Sequence, residues 1–158
     1  MPATVLVVNP RAGRGRVGRE LPRLVQVLTA AGTEPIVLAT EYSGHATTLA
    51  RRVAAEGAET VVAVGGDGTV NEVVNGLIED DRPVGQAVLG VVAAGSGADF
   101  ARSFRLPGHA DGGVRGIVGS SAPIDVVRLG FETEAGPATR YFVNVAEAGM
   151  GAATVAAA

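Results

Sequence analysis

The stretch that most restricts how this chain folds is Thr60 to Ile78, where an apolar run passes straight into glycines and then into a helical stripe. Thr60-Val61-Val62-Ala63-Val64 is short, continuous and β-branched, the pattern of a strand buried on both faces of a parallel sheet. Val70, Val73, Val74, Leu77 and Ile78 then recur at helical spacing. Between the two lies Gly65-Gly66-Asp67-Gly68-Thr69. Three glycines remove Cβ atoms and permit positive φ, so the backbone can approach a ligand closely, and the helix that follows presents unpaired N–H groups at the positive end of its dipole. Such a turn is built like a phosphate site. A bare Gly-Gly pair is more common as a tight turn with no ligand. Asp67 shifts that balance, because a carboxylate at the carboxyl end of a central strand has a use mainly where a proton, a metal or a hydroxyl is handled.

Composition narrows the field. The chain has 158 residues, 47% of them apolar, which is enough for one sizeable globular core. Its 23 glycines and 4% aromatics indicate a core of Val, Leu, Ile and Ala threaded by tight turns. Without cysteine there is no thiol nucleophile, disulfide or cysteine-zinc site. A formal charge of −3 argues against nucleic acid as the main partner. All 13 basic residues are arginine, which excludes a lysine-containing P-loop; nucleotide phosphates would be held by backbone N–H groups, hydroxyls, metal and arginine. No basic-apolar leader and no transmembrane segment is visible, so the expectation is a soluble, cytoplasmic protein.

Other segments repeat the strand-turn-helix grammar. Thr4 to Val8 reads as a first buried strand, followed by the loop Asn9-Pro10-Arg11-Ala12-Gly13-Arg14-Gly15, either a ligand loop or a plain connection with solvated arginines. Val17, Leu21, Leu24, Val25 and Leu28 form a helical stripe, with Pro22 placing the helix start near Leu21. Pro35 to Thr40 reads as a second strand, and Ser43 as the N-cap of a helix carrying Ala46, Leu49, Ala50, Val53 and Ala54. His45, in its first turn, reads more readily as a capping or solvated residue than as a base. Thr40 offers a hydroxyl at a strand end. Glu79 to Pro83 reads as a polar exit loop. Val88 to Val92 is a fourth strand, leading to a second glycine turn, Gly95-Ser96-Gly97-Ala98-Asp99. Val114, Ile117 and Val118 have helical spacing. From about residue 122 the grammar changes to a β-hairpin, Ile124 to Phe131 and Tyr141 to Val145, joined by Glu132 to Pro137. Phe131, Tyr141, Phe142 and Val143 would form an adhesive edge there, so a homodimer through these strands, exchange with a neighbouring chain, or disorder of the region is expected.

With these residues in place, the sequence resembles the diacylglycerol kinase catalytic-domain family, soluble bacterial lipid kinases related to sphingosine kinases and, more distantly, to NAD kinases and phosphofructokinases. Val8-Asn9-Pro10 with Gly13 is similar to the family's opening loop, Thr40 with Gly44-His45-Ala46 to its second element, and Gly65 to Gly76 to its signature GGDGTxNEVxNG. Ile124-Asp125, Phe142 to Val145 and Gly149 resemble the entry to its second domain. Ala93 to Asp99 departs from the family's PxGTxND: Ser96 keeps the hydroxyl, whereas Ala98 loses an amide and Ala93 a proline.

The resemblance implies an α/β fold with a phosphofructokinase/NAD-kinase-like parallel-sheet nucleotide domain over 1–121 and the start of a β-rich, β-sandwich lipid-binding domain over 122–158, most of which would lie beyond this sequence. It implies ATP and Mg²⁺, with Asn9, Pro10, Arg11, Ala12, Gly13, Thr40, Gly65, Gly66, Asp67, Gly68, Thr69, Val70, Asn71 and Ser96 as the ATP contacts. Asp67 would be the catalytic carboxylate, deprotonating the acceptor hydroxyl or organising the metal. The acceptor would be a diacylglycerol-like lipid met at a membrane surface. An NAD kinase-like enzyme, or a nucleotide-binding regulatory module without activity, stay open as alternatives; by itself, the 158-residue chain is expected not to phosphorylate a lipid.

Overall fold

The computed structural model describes residues 3–93, 99–106, 114 and 117–144. Four strands, β1 (Thr4–Val8), β2 (Ile36–Ala39), β3 (Thr60–Gly65) and β6 (Val88–Ala93), form a parallel sheet in the order β2-β1-β3-β6. The register aligns Val8 with both Ala39 and Val64, and Gly65 with Ala93, so the carboxyl ends of all four strands finish at one edge.

Alternation along the strands divides the core into two layers. Val5, Val7, Val61 and Ala63 pack on α2 (His45–Ala55) and α3 (Asp67–Leu77) through Leu49, Ala50, Val53, Val70 and Val73. Leu6, Val8, Val62, Val64 and Val92 pack on α1 (Ala12–Ala30) through Val17, Leu24 and Leu28. Because both faces of the central strands β1 and β3 are covered, those strands read as unbroken apolar runs and not as alternating ones. Val114 and Ile117 join the α1 layer, while the residues between them lie outside the described ones. Helices α2 and α3 cross closely at Gly76, where a Cβ would strike the Thr47 carbonyl and lie 2.7 Å from Ala50 Cβ.

Three local expectations between Ala12 and Pro83 are corrected. Pro22 lies inside α1 and does not start it; it is exposed, and the loss of one backbone hydrogen bond there does not end the helix. Ser43 does not cap α2: the N-cap is Gly44 in left-handed conformation (φ 87°), and its side-chain cap comes from another helix, as described below. The exit loop at 79–83 is a small antiparallel hairpin, β4 (Ile78–Glu79) and β5 (Arg82–Pro83), turned by Asp80 and Asp81 at φ 49° and 60°. Short Asp side chains tolerate this left-handed geometry better than most residues do.

The C-terminal hairpin forms as β7 (Val127–Thr133) and β8 (Gly136–Phe142), with a tighter turn than its sequence suggests. Its expected free edge is partly occupied. Asn75 on α3 accepts the Tyr141 N–H (2.9 Å) on Oδ1 and donates Nδ2 to the Tyr141 carbonyl (2.7 Å), so a side-chain amide pairs with β8 as a neighbouring strand would. Asp81 accepts the Tyr141 hydroxyl at 2.7 Å and meets Arg128 Nε at 2.9 Å. Tyr141, Phe142 and Val143 are half-buried, whereas Val127, Leu129 and Phe131 of β7 stay exposed.

Candidate functional site

Chain order places a crevice before any side chain is considered. From β1 the chain moves one way to β2 and later returns past it to β3, so β1 and β3 are adjacent strands whose connections leave in opposite directions. Open α/β sheets bind ligands at such a switch point, outside the carboxyl ends. Two backbone bonds carry the sheet into that region: the Asn9 N–H donates to the Val64 carbonyl (2.9 Å) and the Thr40 N–H to the Val8 carbonyl (2.8 Å). Asn9, Thr40 and the β3 glycine turn are therefore held side by side.

A cleft of about 580 Å³ opens there, within the range of small-molecule sites. Of the residues expected to contact a ligand, Asn9, Arg11, Ala12, Gly13, Thr40, Gly66, Asp67, Gly68 and Thr69 line it. Pro10, Gly65, Val70 and Asn71 are in the supporting structure. The Pro10 carbonyl accepts the Gly18 N–H (3.2 Å), Gly65 packs against the Thr69 side chain, Val70 is core, and Asn71 Nδ2 donates to the Tyr141 carbonyl (3.3 Å). Ser96 lies outside the described residues.

The two loops on the cleft are built differently. After β1, Asn9 Oδ1 accepts the Arg11 N–H at 3.1 Å and fixes the first turn, and then Gly13, Arg14 and Gly15, within the span of α1, are all left-handed (φ 60°, 58° and 78°) and kink it, so that its regular turns follow Gly15. After β3 there is no left-handed residue; Gly66 is extended and Asp67 opens α3 directly. Glycine at 65 is required by space, since a Cβ there would collide with Thr69 Oγ1 and Cβ. The Thr69 N–H returns to the Gly66 carbonyl at 2.9 Å, closing the first helical turn.

Asp67 lines the cleft and is half-buried. Its Oδ1 accepts the Phe100 N–H at 3.1 Å, tying the start of α3 to α4 (Asp99–Ser103), the short helix that follows the second glycine turn. One carboxylate thus joins the helices that follow β3 and β6.

Glu72 is the functional-site residue that sequence reasoning missed. Its Oε1 accepts the Gly44 N–H (2.9 Å), Oε2 accepts the Ala46 N–H (3.1 Å), and the Thr47 hydroxyl donates to the Glu72 carbonyl (2.9 Å). The carboxylate caps α2 from α3 and so fixes the wall formed by Glu41, Tyr42, Ser43 and Ala46. Glu72 stands inside the signature, but a cap supplied from 26 or 28 residues away leaves no local pattern to read. His45 serves this same wall: its Nδ1 accepts the Glu41 N–H at 3.2 Å.

The sequence profile described as "Diacylglycerol kinase catalytic domain" matches residues 3–129. The chain belongs to this family. The "Diacylglycerol kinase" of Staphylococcus aureus strain MRSA252 is 37% identical over 147 residues, covering 92% of this chain and 43% of the relative; that of strain Newman gives the same figures. Among solved structures, a diacylglycerol kinase from Bacillus anthracis str. Sterne superposes with a TM-score of 0.68 at 28% identity, over 86% of this chain and 45% of that one. This member of the diacylglycerol kinase catalytic-domain family therefore spans less than half the length of the relatives it matches. Among the described residues, no helix is long and apolar enough to cross a membrane.

Proposed function

We propose that this chain is the ATP-binding part of a lipid kinase that transfers the γ-phosphate of ATP to a diacylglycerol-like hydroxyl. The observation that carries this reading is Asp67, a carboxylate lining a switch-point cleft whose glycine turn opens directly into a helix. Phosphoryl transfer depends on positioning and charge neutralisation more than on covalent chemistry. Backbone N–H groups of the β3 turn and the loop after β1 hold the phosphates, with Thr69, Thr40 and Asn9 as polar neighbours. The acceptor oxygen bonds to the γ-phosphorus as the bridge to the β-phosphate breaks, and ADP leaves. Asp67 takes the hydroxyl proton or orients the metal.

Mg²⁺ commonly binds through one or two carboxylates completed by substrate phosphates. Asp67 with a triphosphate meets that need, and it does not require the cluster of three or more acidic or histidine side chains that is lacking among the described residues. When bound, the ion would neutralise charge developing on the phosphates.

In this reading residues 1–121 are the nucleotide part and 122–158 begin an acceptor domain that meets lipid at the surface of a membrane inside the cell. The open Val127, Leu129 and Phe131 face is then where β7 and β8 mediate self-association. The primary test is an amide-resolved NMR titration with Mg²⁺ and ATP, in which residues 9–13 and 65–69 shift; a response confined to another surface would refute the assignment. In the full reading frame that carries this chain, Asp67→Asn lowers turnover on diacylglycerol about 10²-fold, the scale of general-base loss, with a smaller change in ATP affinity. The 158-residue chain assayed beside it binds ATP without phosphorylating lipid in mixed micelles.

A further inference from the structure

The cleft wall that follows β2 carries Tyr42, which forms with His45 an aromatic pair with no role in the phosphate chemistry. Tyr42 and His45 are stacked with ring centroids 4.4 Å apart and planes within 3°. Tyr42 is 61% exposed and lines the same cleft as Gly66, Asp67, Gly68 and Thr69. Tyr42 is also the one aromatic ring among the described lining residues.

The pair is fixed from below. His45 opens α2, whose start is held by the Glu72 carboxylate through Gly44 and Ala46. The imidazole cannot rotate freely, because its Nδ1 accepts the Glu41 N–H at 3.2 Å, which leaves the ring hydrogen on Nε2. One face of Tyr42 is thereby occupied by a ring of settled orientation, and the phenol is preorganised before any ligand arrives. A large exposed aromatic in the wall of a polar cleft, backed by a second ring, has the construction of a stacking platform.

We infer that Tyr42 is the base-stacking residue of this site: it receives the purine ring of a nucleoside triphosphate on its open face while the β3 turn holds the phosphates. The inference rests on the nucleotide reading above and adds to it the residue that distinguishes a nucleotide from a bare polyphosphate. Stacking uses the π-face that every base has, so Tyr42 raises affinity for ATP and GTP alike.

The test measures calorimetric binding of Mg²⁺-ATP, Mg²⁺-GTP and Mg²⁺-tripolyphosphate to the 158-residue chain and to Tyr42→Ala and Tyr42→Phe. Tyr42→Ala weakens both nucleotides about tenfold, the scale of losing one base-aromatic stack, and leaves tripolyphosphate unchanged, while Tyr42→Phe retains wild-type affinity. With only two tyrosines in the chain, the Tyr42 ring protons are assignable, and NOEs from them to the purine H8 or H2 report the stack directly. ATP affinity that survives Tyr42→Ala in a normally folded chain, or equal loss of ATP and tripolyphosphate, overturns the inference while leaving the nucleotide reading intact. Failure of the wild-type chain to bind any of the three overturns both.

Discussion

The loop after β1 and the loop after β3 border one cleft and are both rich in glycine, yet they use it for opposite reasons. In Gly13-Arg14-Gly15 the need is conformational: three successive left-handed residues turn the chain, and added side-chain atoms at Gly15 would meet little more than the flexible end of Arg19 at 3.3 Å. In Gly65 to Gly68 the backbone is ordinary and the need is spatial, with Thr69 folded against Gly65 and open cleft beside Gly68. The first loop is tolerant of volume and intolerant of normal φ. The second is the reverse, as suits a turn that a ligand must approach.

Substitutions can break that contrast. The largest effect is expected from Gly65→Ala, whose Cβ would come within 2.8 Å of Thr69 Cβ in a buried turn. Chemical denaturation should show a loss of about 3 kcal/mol, the upper end for overpacking, together with lost ATP binding. Glu72→Ala should cost about 2 kcal/mol by removing a charged cap, and the same denaturation series will show it; ATP affinity falls too as the Tyr42 wall loosens. Gly15→Ala should cost about 1 kcal/mol in that series, a purely backbone penalty. Gly68→Ala sharpens the comparison because its two readouts diverge. Nothing lies within 4 Å of the added methyl, so stability should rise by about 0.5 kcal/mol through better helix propensity, whereas calorimetry should show weaker ATP binding where the methyl enters the cleft. If Gly68→Ala binds ATP normally, the close approach of the ligand to this turn is wrong.

Most of the α/β layer could be read in the sequence because its signals are local. Strands β1 and β3 are buried on both faces and announce themselves as apolar runs, β6 is an apolar run buried mainly on one face, and α2 and α3 show their buried stripes directly. Ser43 misled because capping was judged from the nearest residue, while the carboxylate that does the work arrives across the α2-α3 interface. Pro22 misled because a proline on a wet helix face costs one hydrogen bond and not the helix. The glycine turn after β3 was recognised for its ligand geometry, but positive φ, part of the reasoning, plays no role there. Asp80 and Asp81 read only as part of a polar exit loop, because the tie from Asp81 to Tyr141 depends on β8 folding back 60 residues later.

The Asn75-Tyr141 pairing sets an unequal coding constraint on its two partners. Asn75 reads the peptide group of residue 141, a donor and an acceptor that every residue except proline carries, so this contact leaves the identity of residue 141 free. At position 75 the reverse holds. The site needs a donor and an acceptor at peptide-like spacing on a short stem: Asp lacks the donor, Leu lacks both, and Gln overshoots by a methylene. The backbone share of the attachment of β8 to the helix that begins at Asp67 is therefore written mainly into the codon for Asn75, with Asn71 adding a longer bond to the same carbonyl. The hydroxyl tie from Tyr141 to Asp81 is the share that drift at residue 141 would erase.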